Sequence, residues 1–139
     1  MSARMLLLCV AFMASGCLHA MNAKDAHKLI SQQKPDLLGD GSQLVSLYYF
    51  GQNQNTSIVG LERVGDNYLP IRWLLVFEGD SILGWYYPSD EFPASFQKGH
   101  LMFPQGSQPE DIYLWPVPPE KITIENTVIP FYSIDSPVQ

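Results

Sequence analysis

The segment Glu78-Gly79-Asp80-Ser81 joins two apolar runs, residues 68–78 and 81–87, and commits them to a β-hairpin. Gly79 occupies the first central position of a two-residue turn, where type II′ geometry requires positive φ. Counting outward sets Phe77 opposite Ile82, Leu75 opposite Gly84 and Trp73 opposite Tyr86. Side chains alternate between the faces of a strand. One face is therefore expected to hold Ile71, Trp73, Leu75, Phe77, Ile82 and Tyr86, with Gly84 leaving space beneath the rings. The other is expected to hold Arg72, Leu74, Val76, Glu78, Leu83, Trp85 and Tyr87. The preceding turn, Gly65-Asp66-Asn67, extends the pattern. A three-residue loop sets Leu61 opposite Ile71 and Val59 opposite Trp73, and brings Glu62 diagonally near Arg72. A two-residue loop sets Leu61 against Arg72, and a slip of one residue inverts every side chain, so the three-residue loop is preferred. The expectation is a three-stranded meander with one buried and one mixed face.

The same alternation, punctuated by turn residues, continues to the C-terminus. Strands are expected over 44–50, 57–64, 68–78, 81–87, 100–103, 111–115, 121–125 and 128–132. Their spacing leaves no room for the crossover helices of a parallel sheet. The fold class is mainly β, an antiparallel β-sandwich or small barrel, preceded by a short N-terminal helix. That helix lies in residues 22–34. Asn22 is a good N-cap, Asp25 and Lys34 suit the two ends of the helix dipole, and Pro35 stops it. Ala23, Ala26, Leu29 and Ile30 fall on one side, which suits either packing on the domain or service as a spacer. Pro104, Pro109, Pro116, Pro118 and Pro119 make the second half more loop-like, with extended segments at the sheet edge.

The N-terminus is of another kind. Residues 1–4 carry one positive charge and residues 5–13 form an apolar run of signal-peptide length. A membrane-spanning helix needs about 20 apolar residues, and polar His19, Asn22, Lys24 and Asp25 follow too soon. Ala14-Ser15-Gly16-Cys17 closes the run and resembles the lipobox of bacterial lipoproteins. The resemblance implies that Cys17 is the site of lipid attachment and the first residue of the mature chain. It divides the sequence into a signal peptide (1–16), an anchor, tether and short helix (17–41) and an antiparallel β domain (42–139). Cys9 lies in the removed segment, so the mature chain keeps one thiol and can form no internal disulfide. Leu18, where Asp would favour inner-membrane retention, points to the outer membrane, facing the periplasm.

Catalytic chemistry finds little material. There is no Gly-x-Ser-x-Gly elbow. His19 and His27 sit in the tether, leaving His100 alone in the β region, with too few His and Cys for a zinc site. The carboxylate pairs Glu78/Asp80, Asp90/Glu91 and Glu110/Asp111 flank turns, where acidic residues ordinarily serve as solvated caps. The net charge of −6 with scattered basic residues argues against nucleic acid as a partner. No catalytic residue, metal or cofactor is expected. Aromatic residues stand out instead, at Tyr48-Tyr49-Phe50, Trp85-Tyr86-Tyr87, Tyr113-Leu114-Trp115 and Phe131-Tyr132. Such residues either fill a core or, as with Arg72, Trp85 and Tyr87 on the mixed face, form a contact surface of hot-spot types.

The expected function is therefore that of a non-enzymatic, membrane-anchored protein-binding module. Its envelope protein partner would be an assembly machine or a cell-wall-attacking enzyme that it inhibits. The alternative is a lipid or glycan binder with an aromatic-lined cleft. Lysozyme-inhibitor lipoproteins are similar in size and in placing a β-rich domain behind a lipid anchor. Their Trp-Lys-Gly signature and paired cysteines are missing here, so the resemblance implies architecture and no residue roles.

Overall fold

A computed structural model describes residues 21–104 and 111–139. Cys17 and the leader expected before it lie outside the described residues. Among the described residues nine strands form two antiparallel sheets: β1 (Leu44–Asn53), β2 (Thr56–Val64), β3 (Pro70–Glu78), β4 (Ser81–Tyr86), β5 (Ser95–Gln97), β6 (His100–Met102), β7 (Ile112–Tyr113), β8 (Lys121–Ile124) and β9 (Thr127–Ser133). Six of them make a sheet in the order β1-β2-β3-β4-β9-β8, and β5-β6-β7 make a smaller one. Neither sheet closes into a barrel. The architecture is a β-sandwich with one helix, α1 (Ala23–Gln33), on its outer side.

Each of the eight strands read from the sequence has a counterpart. The strand missed is β5, whose single strong apolar residue, Phe96, gives no alternation to detect.

Helix α1 begins at a capping box. The Asn22 side chain accepts from the Asp25 amide at 2.9 Å, and the Asp25 carboxylate accepts from the Asn22 amide at 3.3 Å. The helix buries Ala26 and Ile30 completely. These two join Met21, Leu37, Val59, Leu61, Trp73, Leu75, Phe77, Ile82 and Trp85 in one core. Of the two roles open to this helix, the structure shows packing: α1 is a layer of the domain, although the sequence places the domain's start after it. Gln33 fastens its C-terminal end to the β3–β4 turn. The side-chain amide donates to the Asp80 carbonyl and accepts from the Ile82 amide at 2.8 Å.

The opposite face of the large sheet, expected to be mixed, is a second core. Ile58, Leu74, Val76 and Tyr86 pack there against Phe96, Leu101, Ile112 and Leu114 from the small-sheet side. Ile122, Ile124 and Ile129 of the β8–β9 hairpin complete it. The reason is written in β3. Trp73-Leu74-Leu75-Val76-Phe77 is an unbroken apolar run, as in a strand covered on both sides, and all five residues are buried.

Two registers depart from expectation. Between β2 and β3 the loop has five residues, not three, so Leu61 faces Trp73 and Glu62 faces Arg72 directly. The two extra residues shift the pairing by an even number and preserve the face of every side chain. In the β3–β4 hairpin the turn is as expected, with Gly79 at φ 56 and Phe77 opposite Ile82. The next pair is Val76 with Gly84, leaving Leu83 as an extra residue on β4. This bulge inverts everything beyond it. Trp85 and Tyr87 turn to the helix side and Tyr86 turns into the sandwich core, the reverse of the expected assignment.

Gly84 has a different task from the one its spacing suggests. A Cβ there would overlap the carbonyl oxygen of Tyr132 and the ring of Phe131, so glycine allows β9 to approach β4. Gly84→Ala is expected to cost about 1–3 kcal/mol through this overpacking, measured by urea unfolding. An unchanged midpoint would contradict the packing described.

Tyr86 is fully buried and donates its hydroxyl to the Pro119 carbonyl at 2.7 Å. Burial holds its phenol well above the ordinary value of 10.0. A raised folded value means that its contribution to stability is complete below about pH 10 and is lost as pH rises beyond that. Absorbance at 295 nm is therefore expected to show Tyr86 ionising only as the protein unfolds in alkali. Its titration in the folded state with the exposed tyrosines would refute this placement.

Candidate functional site

The three residues expected to form a contact surface are not brought together. Trp85 is fully buried under α1, with its indole donating to the Gln139 side chain at 3.0 Å. Tyr87 lies on the same side, stacked on Trp73 with ring centroids 5.1 Å apart. Arg72 is on the opposite face, where its Nε meets the Glu62 carboxylate at 2.8 Å. Its guanidinium also donates to the Asp90 carbonyl at 2.9 Å and lies 5.7 Å from the Phe92 ring centroid. The single bulge at Leu83 separates the three.

The large sheet has two ends, fixed by its antiparallel hairpins. At one end lie the β1–β2 and β3–β4 turns; at the other lie the start of β1, the β2–β3 loop and the start of β3. A strand of nine residues rises about 3.3 Å per residue, which puts the ends roughly 30 Å apart. We refer to them as the turn end and the loop end.

The loop end gathers exposed apolar side chains. Leu44, Val64 and Pro70 are paired in register across β1, β2 and β3 and so share a face. Leu44 is 71% exposed, and beside this row Tyr68 and Leu69 are 84% and 66% exposed. Tyr68 holds φ at 58°, in the left-handed region that side chains other than Gly, Asn and Asp seldom enter. The loop is ordered by its own hydrogen bonds. The Tyr68 amide donates to the Gly65 carbonyl at 3.0 Å, and the Leu69 amide donates to the Asn67 side chain at 3.1 Å. Two rows further along the same face, half-exposed Tyr48 rests on Phe92, with centroids 5.6 Å apart. Gly60 lies beneath, and a Cβ there would collide with the rings of Phe50 and Phe92. Of the other exposed apolar residues, Met102 and Tyr113 lie on the small sheet, Val117 in the segment after it, and Val128 on β9 of the large sheet.

On the helix side of the loop end, Arg63 lies over Trp73, 4.2 Å from its ring. Nε of Arg63 and the indole nitrogen of Trp73 are both buried without a hydrogen-bond partner. Burial lowers the Arg63 pKa, opposed by the charges of Tyr87 and Asp40. The cation–π contact stabilises the guanidinium in place of an acceptor.

The turn end holds a groove of about 600 Å³ between α1 and the hairpin turns. Met21, Asp25, Lys28, Leu29 and Gln32 line one wall; Gln52, Asn55, Ser57, Gly79 and Asp80 line the other. These are mostly amide and charged side chains, with no aromatic residue among them, unlike the aromatic-lined cleft of the alternative reading.

His100 has a partner that sequence spacing did not suggest. Its Nδ1 lies 2.8 Å from the Asp111 carboxylate, and its ring sits 4.6 Å from Tyr113, because β6 and β7 pair His100 with Tyr113. Asp111 is largely exposed. Among the described residues no group of three or more His, Cys, Asp or Glu side chains is placed to hold a metal ion. No family model, curated protein or solved structure gives a significant match to the chain.

The sequence does not set the loop-end residues apart, for a physical reason. Tyr68 and Leu69 continue an apolar run into β3, and a three-residue loop would have placed them in the strand. Only the longer loop sets them outside the sheet.

The two placements separate experimentally. Trp85→Ala is expected to destabilise the fold by about 3–5 kcal/mol, the cost of emptying a buried aromatic site. Tyr68→Ser is expected to stay within about 0.5 kcal/mol, as for an exposed side chain without a packing role. Urea unfolding of the two variants reads the difference, and equal effects would contradict it.

Proposed function

We propose that this protein is a lipid-anchored lipoprotein of the bacterial envelope that acts as a non-enzymatic protein-binding module, engaging its partner through the loop end. The observation that carries the contact part is the exposure of Leu44, Tyr68 and Leu69 together at one end of a sheet buried on both faces. Apolar residues scattered singly over a surface are ordinary, whereas a local group centred on an exposed tyrosine is what interface anchors look like. The left-handed backbone at Tyr68 adds to this, since strain held at an exposed aromatic has no packing purpose.

The anchoring part rests on the sequence. Ala14-Ser15-Gly16-Cys17 supports lipidation at Cys17, and Leu18 favours the outer membrane. An acidic domain is repelled by anionic lipid, so attachment falls to the acyl chains. The partner is then an envelope protein presenting an apolar pocket or patch, either a subunit of an assembly or an enzyme that attacks the cell wall. Lipid or glycan binding is less well supported, because the groove described lacks the stacking rings a glycan cleft would use.

Photo-crosslinking in living cells tests the reading. A photoreactive phenylalanine at position 68 is expected to give one discrete protein adduct, and the same group at exposed Gln54, at the turn end, is expected to give none. Adducts of equal yield from both positions, or none from position 68, would overturn the assignment. The Tyr68→Ser, Leu69→Ser double variant is expected to fold and to lower recovery of that partner about tenfold or more, matching the loss of one or two anchors.

A further inference from the structure

We infer that the turn end of the sandwich is the surface that meets the membrane, held against the lipid headgroups by a connection too short to act as a stalk. The inference rests on the lipid-anchor reading of Cys17 and goes beyond it by stating which part of the domain the bilayer covers.

The argument begins at Met21. Its side chain is buried in the helix-side core and contributes to the groove beside Gln52, Asn55, Gly79 and Asp80. The chain is thus fixed to the domain at the turn end from Met21 onward. Helix α1 cannot serve as a spacer, since Ala26 and Ile30 are in the core and Gln33 is tied to the β3–β4 turn. Only the four steps from Cys17 to Met21 remain, and these reach at most about 14 Å when fully extended. The loop end is roughly 30 Å further along the strands. A lipid at Cys17 therefore keeps the turn end within one short span of the bilayer.

Composition agrees with geometry. The β1–β2 turn is Gln52-Asn53-Gln54-Asn55, polar and uncharged. The β1–β2 turn at this end thus adds no negative charge for an anionic bilayer to repel. In the groove lining Lys28 is set against Asp25 and Asp80. The amide, lysine and carboxylate side chains of the groove wall can hydrogen-bond within a hydrated headgroup layer. This orientation also directs Tyr68 and Leu69 away from the membrane, where a periplasmic partner can reach them.

Cys17 is the sole thiol of the mature chain and would be acylated, so an introduced cysteine can be labelled alone. Lipidated protein carrying Gln54→Cys or Asp80→Cys at the turn end, or Asp66→Cys at the loop end, is labelled with a small fluorophore. It is placed in vesicles of phosphatidylethanolamine and phosphatidylglycerol containing a nitroxide-headgroup lipid. Quenching is expected to be at least threefold stronger at positions 54 and 80 than at position 66. Equal quenching, or stronger quenching at position 66, in protein that floats with the vesicles overturns the orientation while leaving the anchor intact. Flotation that is unaffected by Cys17→Ala, or no flotation of the unaltered protein, overturns the anchor reading and this inference with it. The two turn-end positions guard against a local effect of either substitution on folding.

Discussion

Strand β3 places Trp73, Leu75 and Phe77 on one side and Leu74 and Val76 on the other, and all five are removed from water. A strand of this kind cannot sit in a sheet with a wet face. Each fully buried side chain of this size is worth about 1.5–3 kcal/mol relative to exposure, so both faces of the large sheet require covers. The helix supplies one and the small sheet supplies the other, with the β8–β9 end of the large sheet adding Ile122, Ile124 and Ile129 to the same core. The remaining features follow from these two covers. Gln33 ties the helix down, Gly84 lets β9 close against β4, and Gly60 makes room for Phe50 and Phe92. A short connection to any lipid anchor is a consequence of the same requirement, because the segment that looked free to be a tether is needed as a layer.

The sequence makes much of this legible. Alternation and turn residues place eight of the nine strands, and Asn22, Pro35 and the apolar side of residues 23–30 place the helix. The face shared by Val59, Leu61, Trp73, Leu75 and Phe77 is also readable, and it survives a loop longer than expected because the shift is even. The unbroken run from Trp73 to Phe77 contains the double burial as well. It reads as half-buried only if Arg72 and Glu78, which flank the run, are allowed to define the face.

What was hidden is the bulge at Leu83. No turn chemistry marks it; what demands it is the approach of β9, nearly fifty residues later in the chain, which meets Gly84 and pairs Tyr132 with Trp85. One residue of offset moved Trp85 and Tyr87 to the helix side and left Arg72 alone on the other, dissolving the expected contact surface. The exposed residues Leu44, Tyr68 and Leu69 share one end of the sheet because β1, β2 and β3 are paired in register up to the β2–β3 loop. Contact of this kind depends on tertiary pairing and leaves no local mark. His100 and Asp111 make the same point on a smaller scale, since the pairing of β6 with β7 brings them together.

The central claim is that α1 is an integral cover of the sheet, and native-state amide hydrogen exchange tests it most directly. The account predicts that the hydrogen-bonded amides of residues 27–33 exchange with the same opening free energy as those of β3, because losing the helix exposes the core it covers. Exchange of those helix amides orders of magnitude faster than β3, at rates near those of an isolated short helix, would show that the helix opens independently. It would then contradict the double burial of the sheet, and with it the premise of the proposed membrane orientation.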